Sequence, residues 1–358
     1  SQQQTVTYQN IKEKPIPSIL RNFSAPVILN YGYEDNELAV LSSYDTDPFN
    51  RWESSQRLAL KTILINIDRI QRKTLPDYGS SLIDIFRKAL KMAKNDTAFA
   101  AEVLTLPSAR YIAEQMPIVD PEAILIARSG LRMHLAKNLE AEFSEAYIYF
   151  QEDKDYSPDA TSAGIRSIKN IALSYLMELG DQKIRTVSLD QVKNANNMTD
   201  GMAALVTLAN CDCPERLEAL KWFYNKWKQE QLVIDKWFAV QATSVLPSTL
   251  EEVKGLLNHD DFDITNPNRV RSLISSFCQG NHAQFHASDG SGYQFAAEQI
   301  MRLDKVNAQI AARLARSFDR WKKFDDKRQH LAKEALTAIQ DSVDLSKDTR
   351  EVVSRALA

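Results

Sequence analysis

The densest group of side chains able to ligate a metal lies in CQGNHAQFH, where Cys278, His282 and His286 recur every four residues. On a helix this spacing places all three on one face, and a His-x-x-x-His pair is a geometry that holds zinc. The zinc-peptidase pattern is H-E-x-x-H, however, and Ala283 stands where that pattern has the carboxylate that activates water. A carboxylate ligand nineteen residues beyond the second histidine would fall on Lys305. The histidines therefore read as packing or turn residues, and no metal site is expected in this chain.

A second pattern with chemical potential is NPNRVRSLISSF, residues 266–277. Asn266 is a favoured N-cap and Pro267 suits the first helical position. Arg269 and Arg271 then fall near a helix N-terminus, where the dipole disfavours a cation by a few tenths of a kcal/mol. They call for an anion, either a neighbouring carboxylate such as Asp261 or Asp263, or a negative group on a ligand. On a wheel of about 100° per residue, Val270, Leu273, Ile274 and Phe277 form one apolar stripe with an arginine on either side. Such arginines can lay their stems along the edge of a core and reach into a cavity with their guanidinium groups.

Other local patterns point to structure. ASDGSGY (287–293) lacks the lysine of a phosphate-binding loop and reads as a turn before a helix at Gln294. RWKKFDDKR (320–328) interleaves Asp325 and Asp326 with its basic residues and reads as a solvated helix face. Trp222, Trp227 and Trp237 fit core or inter-helix packing. Sequons at Asn22, Asn95 and Asn197 matter only in a secreted chain. Nowhere do a nucleophile, a base and an oxyanion hole come together in sequence.

The elements that carry these residues are mostly helices. Glycine supplies 10 of 358 residues, under half the usual share of about 7%. Apolar residues follow helical spacing over 49–70, and helix starts are marked at Asp120-Pro121, Ser157-Pro158 and Asn266-Pro267. Ser248 to Glu251 has the form of a capping box. The longest candidate runs over 120–150, about eight turns. Helical hairpins tile residues 46–358 without a clean repeat consensus, and each pair needs its neighbours to cover its apolar stripe. A superhelix of the HEAT or armadillo type is the expected packing.

Residues 1–45 differ. Val6 and Tyr8 alternate with polar positions, and Val27, Leu29, Tyr31 and Tyr33 share one face of an extended segment. This predicts β structure that is part of a larger β domain, because a few strands bury too little to stand alone; the resemblance given below implies that this portion, residues 1–45, belongs to a small, incomplete β-sandwich.

Composition narrows the class further. With 44% hydrophobic residues the chain can bury a large core. Its 44 basic and 47 acidic residues give a net charge of −3, which favours neither nucleic acid nor an anionic membrane as partner. No apolar run reaches the ~18 residues of a membrane span, and the N-terminus lacks signal-peptide character. Cys211, Cys213 and Cys278 form no paired framework, so a reducing, cytoplasmic location is expected.

Six stretches together carry a resemblance: PIPSILRNFSAPVILNY, DPFNRWESSQRLAL, NNMTDGMAAL, QLVIDKWFAVQATS, NPNRVRSLISSF and FHASDGSGYQF. In this order they resemble the C-terminal half of the bacterial aminopeptidase N family of zinc gluzincins, from about residue 15 to the end. The resemblance implies a parent enzyme of four parts, with a thermolysin-like zinc domain upstream of a small β-sandwich and a helical superhelix. It also implies that this segment, lacking H-E-x-x-H, is inactive alone and caps the active site of the upstream catalytic domain. The cavity so formed would admit peptide substrates, with Arg271, Gln309 and Arg313 meeting the peptide beyond the scissile bond. Gln309 and Arg313, four residues apart, share a helix face. An independent helical-repeat adaptor that binds a protein or peptide is the alternative.

Overall fold

The computed structural model describes residues 5–152 and 154–358. Among these, nineteen α-helices follow one another from Asp35 to Leu357, joined by short turns. Their starts are written in the sequence as Asp, Asn or Ser N-caps. Asp47 accepts from the Asn50 amide, Asp120 from Ala123, Asn197 from Asp200 and Asn307 from Ile310. Each satisfies an amide that a helix end leaves without a partner. Proline occupies the first turn at Pro48, Pro121, Pro214 and Pro267.

Successive helices pack pairwise, and their inward faces merge into two cores. One gathers residues between Leu38 and Leu176 together with Phe324; the other runs from Leu173 to Val353. Phe324 thus comes from the far end of the chain and fills the first core. It is held there by a parallel bridge between Val119 and Phe324, with the Val119 amide donating to the Lys323 carbonyl at 2.8 Å. Ion pairs from Arg320 to Glu114 at 2.8 Å and from Arg328 to Glu122 at 2.9 Å cross the same seam.

Several expectations need correction. Residues 5–34 contain no strand among the described residues, only a 3₁₀ turn at Arg21–Phe23, and Asp35–Tyr44 is helical. The helix wins because Glu34 and Glu37 form a reciprocal capping box, while the extended stretches find no neighbouring strand to pair with. Residues 1–4 of the expected β segment lie outside the described residues.

The long helix expected over 120–150 is two helices, Pro121–Asn138 and Glu140–Tyr149. The break is at Leu139, which leaves the helical region (φ −129°, ψ 22°) to keep its side chain fully buried. Asp159, not Ser157, caps the helix Ala160–Leu176. Ser248 makes no cap; its hydroxyl donates to Glu252 at 2.9 Å while Glu251 pairs with Lys254. The helix after ASDGSGY begins at Ser291, ahead of Gln294, with Gly290 at φ +76° supplying the left-handed turn. RWKKFDDKR is no solvated face, since Trp321, Phe324 and Arg328 are buried around a 3₁₀ turn at the seam. The helix expected over 49–70 is present as Pro48–Gln71.

Candidate functional site

Asn266 caps its helix as the sequence predicts, accepting from the Asn268 and Arg269 amides. The two arginines that follow meet opposite fates. Arg269 is 1% exposed and turned inward. It pairs with Asp235, and also donates to the Gln231 side chain, to the Gln231 carbonyl at 3.1 Å and to the Asp261 carbonyl at 2.8 Å. Its guanidinium lies over the Phe238 ring, 5.4 Å from the centroid. The expectation that Arg269 flanks a cavity is therefore wrong, and its counter-ion is Asp235 instead of the Asp261 or Asp263 carboxylate. No local signal could show this, because Asp235 lies 34 positions away in the chain.

Arg271 is exposed and bonds only to the Asn268 side chain, at 3.1 Å, with no carboxylate in ion-pair range among the described residues. It opens a π-helix, Arg271–Gly280. The Ser276 hydroxyl donates to the Arg271 carbonyl five residues back, at 3.1 Å, inside this widened turn. Val270, Leu273, Ile274 and Phe277 are all fully buried, so the apolar stripe read at 3.6-residue spacing survives the wider winding. Such π segments are rare and recur at functional sites.

Gln309 and Arg313 lie one turn apart on the helix Ala308–Ala315, both exposed. The Gln279 amide reaches across from the π-helix to the Arg313 carbonyl, at 3.4 Å. The structure thus sets the π-helix beside the helix that carries the other two expected residues. Gln279 itself escaped the sequence reading, since a 3.6-residue period gives no reason to place it there.

The histidines line a cleft of about 490 Å³ at the seam. Burial, then the nearby Arg328 charge, pushes His282 down to about 4. His286 is also held well below its ordinary value by burial, with His282 and Arg328 adding to the effect. Nδ1 of His286 lies 2.9 Å from the Tyr293 hydroxyl and its ring stacks on Phe324, centroids 4.1 Å apart. Burial raises the Cys278 thiol, which keeps it in the unreactive protonated form. Among the described residues no three His, Cys, Asp or Glu side chains converge to hold a metal ion. No helix among them is long and apolar enough to cross a membrane.

Comparison with known proteins gives this geometry a context. A family model described as a domain of unknown function with ARM repeats (DUF3458_C) matches residues 35–358. Another, described as a domain of unknown function with an Ig-like fold (DUF3458), matches residues 1–32. Aminopeptidase N of Escherichia coli (strain K12) is 38% identical over 357 residues, which cover 99% of this chain and 41% of that protein. Its namesake from Haemophilus influenzae is 34% identical over 356 residues, covering 99% and 40%. The solved structure of Legionella pneumophila aminopeptidase A in complex with aspartic acid superposes with a TM-score of 0.86 at 31% identity, over 98% of this chain and 41% of that one. The chain spans about two fifths of the length of the relatives it matches.

Proposed function

The chain belongs to the DUF3458_C family of ARM-repeat domains and is homologous to the C-terminal part of aminopeptidase N, and from that premise we propose that it serves a zinc aminopeptidase as the wall of its substrate cavity. In this reading the upstream part of the same polypeptide removes N-terminal residues from peptides. This chain caps that site and binds the peptide beyond the scissile bond.

The observation that carries the proposal is Arg271. A cation near a helix N-terminus, left exposed without a carboxylate partner, is poorly explained by stability. In this reading Arg271 acts together with Gln309 and Arg313, exposed on a helix that the π-helix touches through Gln279, and their donors suit a peptide carbonyl or a C-terminal carboxylate. Gln279 fixes the spacing between the two helices.

Zinc chemistry belongs upstream in this reading. His282 and His286 lack a converging third ligand, so the residues here do not fit the metal and no catalytic step is assigned to them. With zinc placed upstream, this reading takes the isolated segment to be inactive.

Contact with the upstream part is supported by the N-terminal segment. Val6, Tyr8, Phe23 and Ile28 are 71%, 76%, 72% and 99% exposed, an apolar face of the kind that marks an interface. An Ig-like sandwich takes about 100 residues, so the residues matched to one here, 1–32, would contribute strands to a sheet completed by other parts of the polypeptide. The three free cysteines fit a cytoplasmic location.

The test is steady-state kinetics on the complete polypeptide. Arg271→Ala should raise KM for a tripeptide by about tenfold, the cost of one charged hydrogen bond, with little change for a single-residue amide. Equal effects on both substrates would remove the peptide contact from the proposal.

A further inference from the structure

The cleft that holds the histidines shares Gln279 with the region proposed above, while its other lining residues take no part in that function and have the makings of a site of their own. Its rim carries four cations, Arg110, Arg316, Arg320 and Lys323, against two carboxylates, Glu114 and Asp319. Arg320 and Arg110 share Glu114, at 2.8 and 3.6 Å, and Arg316 pairs with Asp319 at 3.2 Å. Lys323 has no carboxylate in ion-pair range among the described residues, and its exposed side chain is free to turn. Four cations less two carboxylates leave two positive charges unanswered around one opening.

The interior differs from the rim. The Ser317 hydroxyl is buried there without a hydrogen-bond partner. His282 lines the same space, neutral at physiological pH, and its ring nitrogens make no hydrogen bond among the described residues. A neutral imidazole and a hydroxyl each hold one donor in reserve, and a buried polar group without a partner costs about 1–3 kcal/mol. Val119, Ala113 and Phe324 supply an apolar wall. The volume, about 490 Å³, falls within the roughly 300–1,000 Å³ of small-molecule sites.

We propose that this cleft binds a small amphiphilic carboxylate, with its charged end at Lys323 and Arg320, its polar atoms at Ser317 and His282, and its apolar body on Phe324. A bare inorganic anion would leave the apolar wall uncovered, and an uncharged apolar molecule would leave the rim cations unanswered. The inference rests on the cleft alone and holds whether or not the chain serves a peptidase.

Isothermal titration of the 358-residue chain with N-acetylphenylalanine tests it. The blocked amine prevents the probe from acting as an aminopeptidase substrate. Saturable binding is expected, weakened at least about tenfold when the carboxylate is replaced by an amide and to a similar degree by Lys323→Glu. Ser317→Ala should weaken it less, and inorganic phosphate should compete poorly. The proposal is overturned if acid and amide bind alike, if Lys323→Glu binds as the parent does, or if phosphate displaces the probe at equal concentration. Lys323 is exposed and Ser317→Ala removes a single oxygen, so both variants keep the fold.

Discussion

Two basic regions adjoin the π-helix and are built in opposite ways. In one, Arg271, Gln309 and Arg313 stand exposed on two helices whose other faces are fully buried, so the frame is rigid and the charges cost it little. In the other, Arg110, Arg316, Arg320 and Lys323 ring a cleft at a seam between chain segments some 200 residues apart. There the histidines, Phe324 and Arg328 hold the seam shut and bound the cleft at once. The comparison teaches that a charge is available for recognition when burial elsewhere secures the backbone that carries it. Where the charged residues also join the structure, recognition and stability are coupled.

The sharpest way to break this comparison is at its frame. Arg269, two residues from Arg271, is the buried counterpart that fixes the start of the helix against Asp235. Arg269→Ala leaves that carboxylate and the Gln231 and Asp261 acceptors without their donor, and should cost about 3–5 kcal/mol. Urea denaturation of the variant measures it. A loss below about 1 kcal/mol would mean that the exposed row does not depend on this anchor.

The seam makes the next largest prediction, through pH. Both cleft histidines titrate below their ordinary value when folded, because burial and the Arg328 charge oppose protonation. Between pH 6.5 and about 4 the unfolded chain therefore takes up protons that the folded chain refuses. Stability present above pH 6.5 is lost as pH falls through this window, by about 3 kcal/mol for His282 alone. His286 and Arg328 face His282 directly, and Arg316, Arg320 and Lys323 add positive charge around the same space. His282→Gln should flatten the loss between denaturation curves at neutral and acid pH. An unchanged difference would place the acid sensitivity outside the cleft.

Which parts of this were legible in the sequence follows from the range of the interactions. Helix starts at Asn266 and Asp120 are set by capping side chains within three residues, and these could be read directly. The apolar stripe from Val270 to Phe277 was equally plain, and so was the helical class of the chain. The resemblance named the family and pointed to Arg271, Gln309 and Arg313, which geometry alone would have left among many surface polar residues. What escaped depends on distant partners. Arg269 is buried by Asp235, Phe324 by a core near the other end of the chain, and the cleft forms only where Val119 meets Phe324. Residues 5–34 form no strand here for the converse reason, since strand-like alternation produces a strand only where another strand lies alongside; the match of residues 1–32 to an Ig-like family model agrees with the β character read there.

The smallest predicted effect bears most directly on the exposed row. Arg271 is the fifth residue of its helix, just past the first turn, where the dipole opposes a cation by at most a few tenths of a kcal/mol. Its one hydrogen bond, to Asn268, is exposed, and no carboxylate attracts it among the described residues. Arg271→Ala should therefore leave stability within about 0.5 kcal/mol of the parent, and slightly higher if anything. Differential scanning calorimetry at low salt, where the dipole term is least screened, is the measurement. A gain or no change means the arginine is held at a site that stability does not favour, which is what a residue kept for a ligand requires. A loss above about 1 kcal/mol would make Arg271 part of the frame, and the two basic regions would then be built alike.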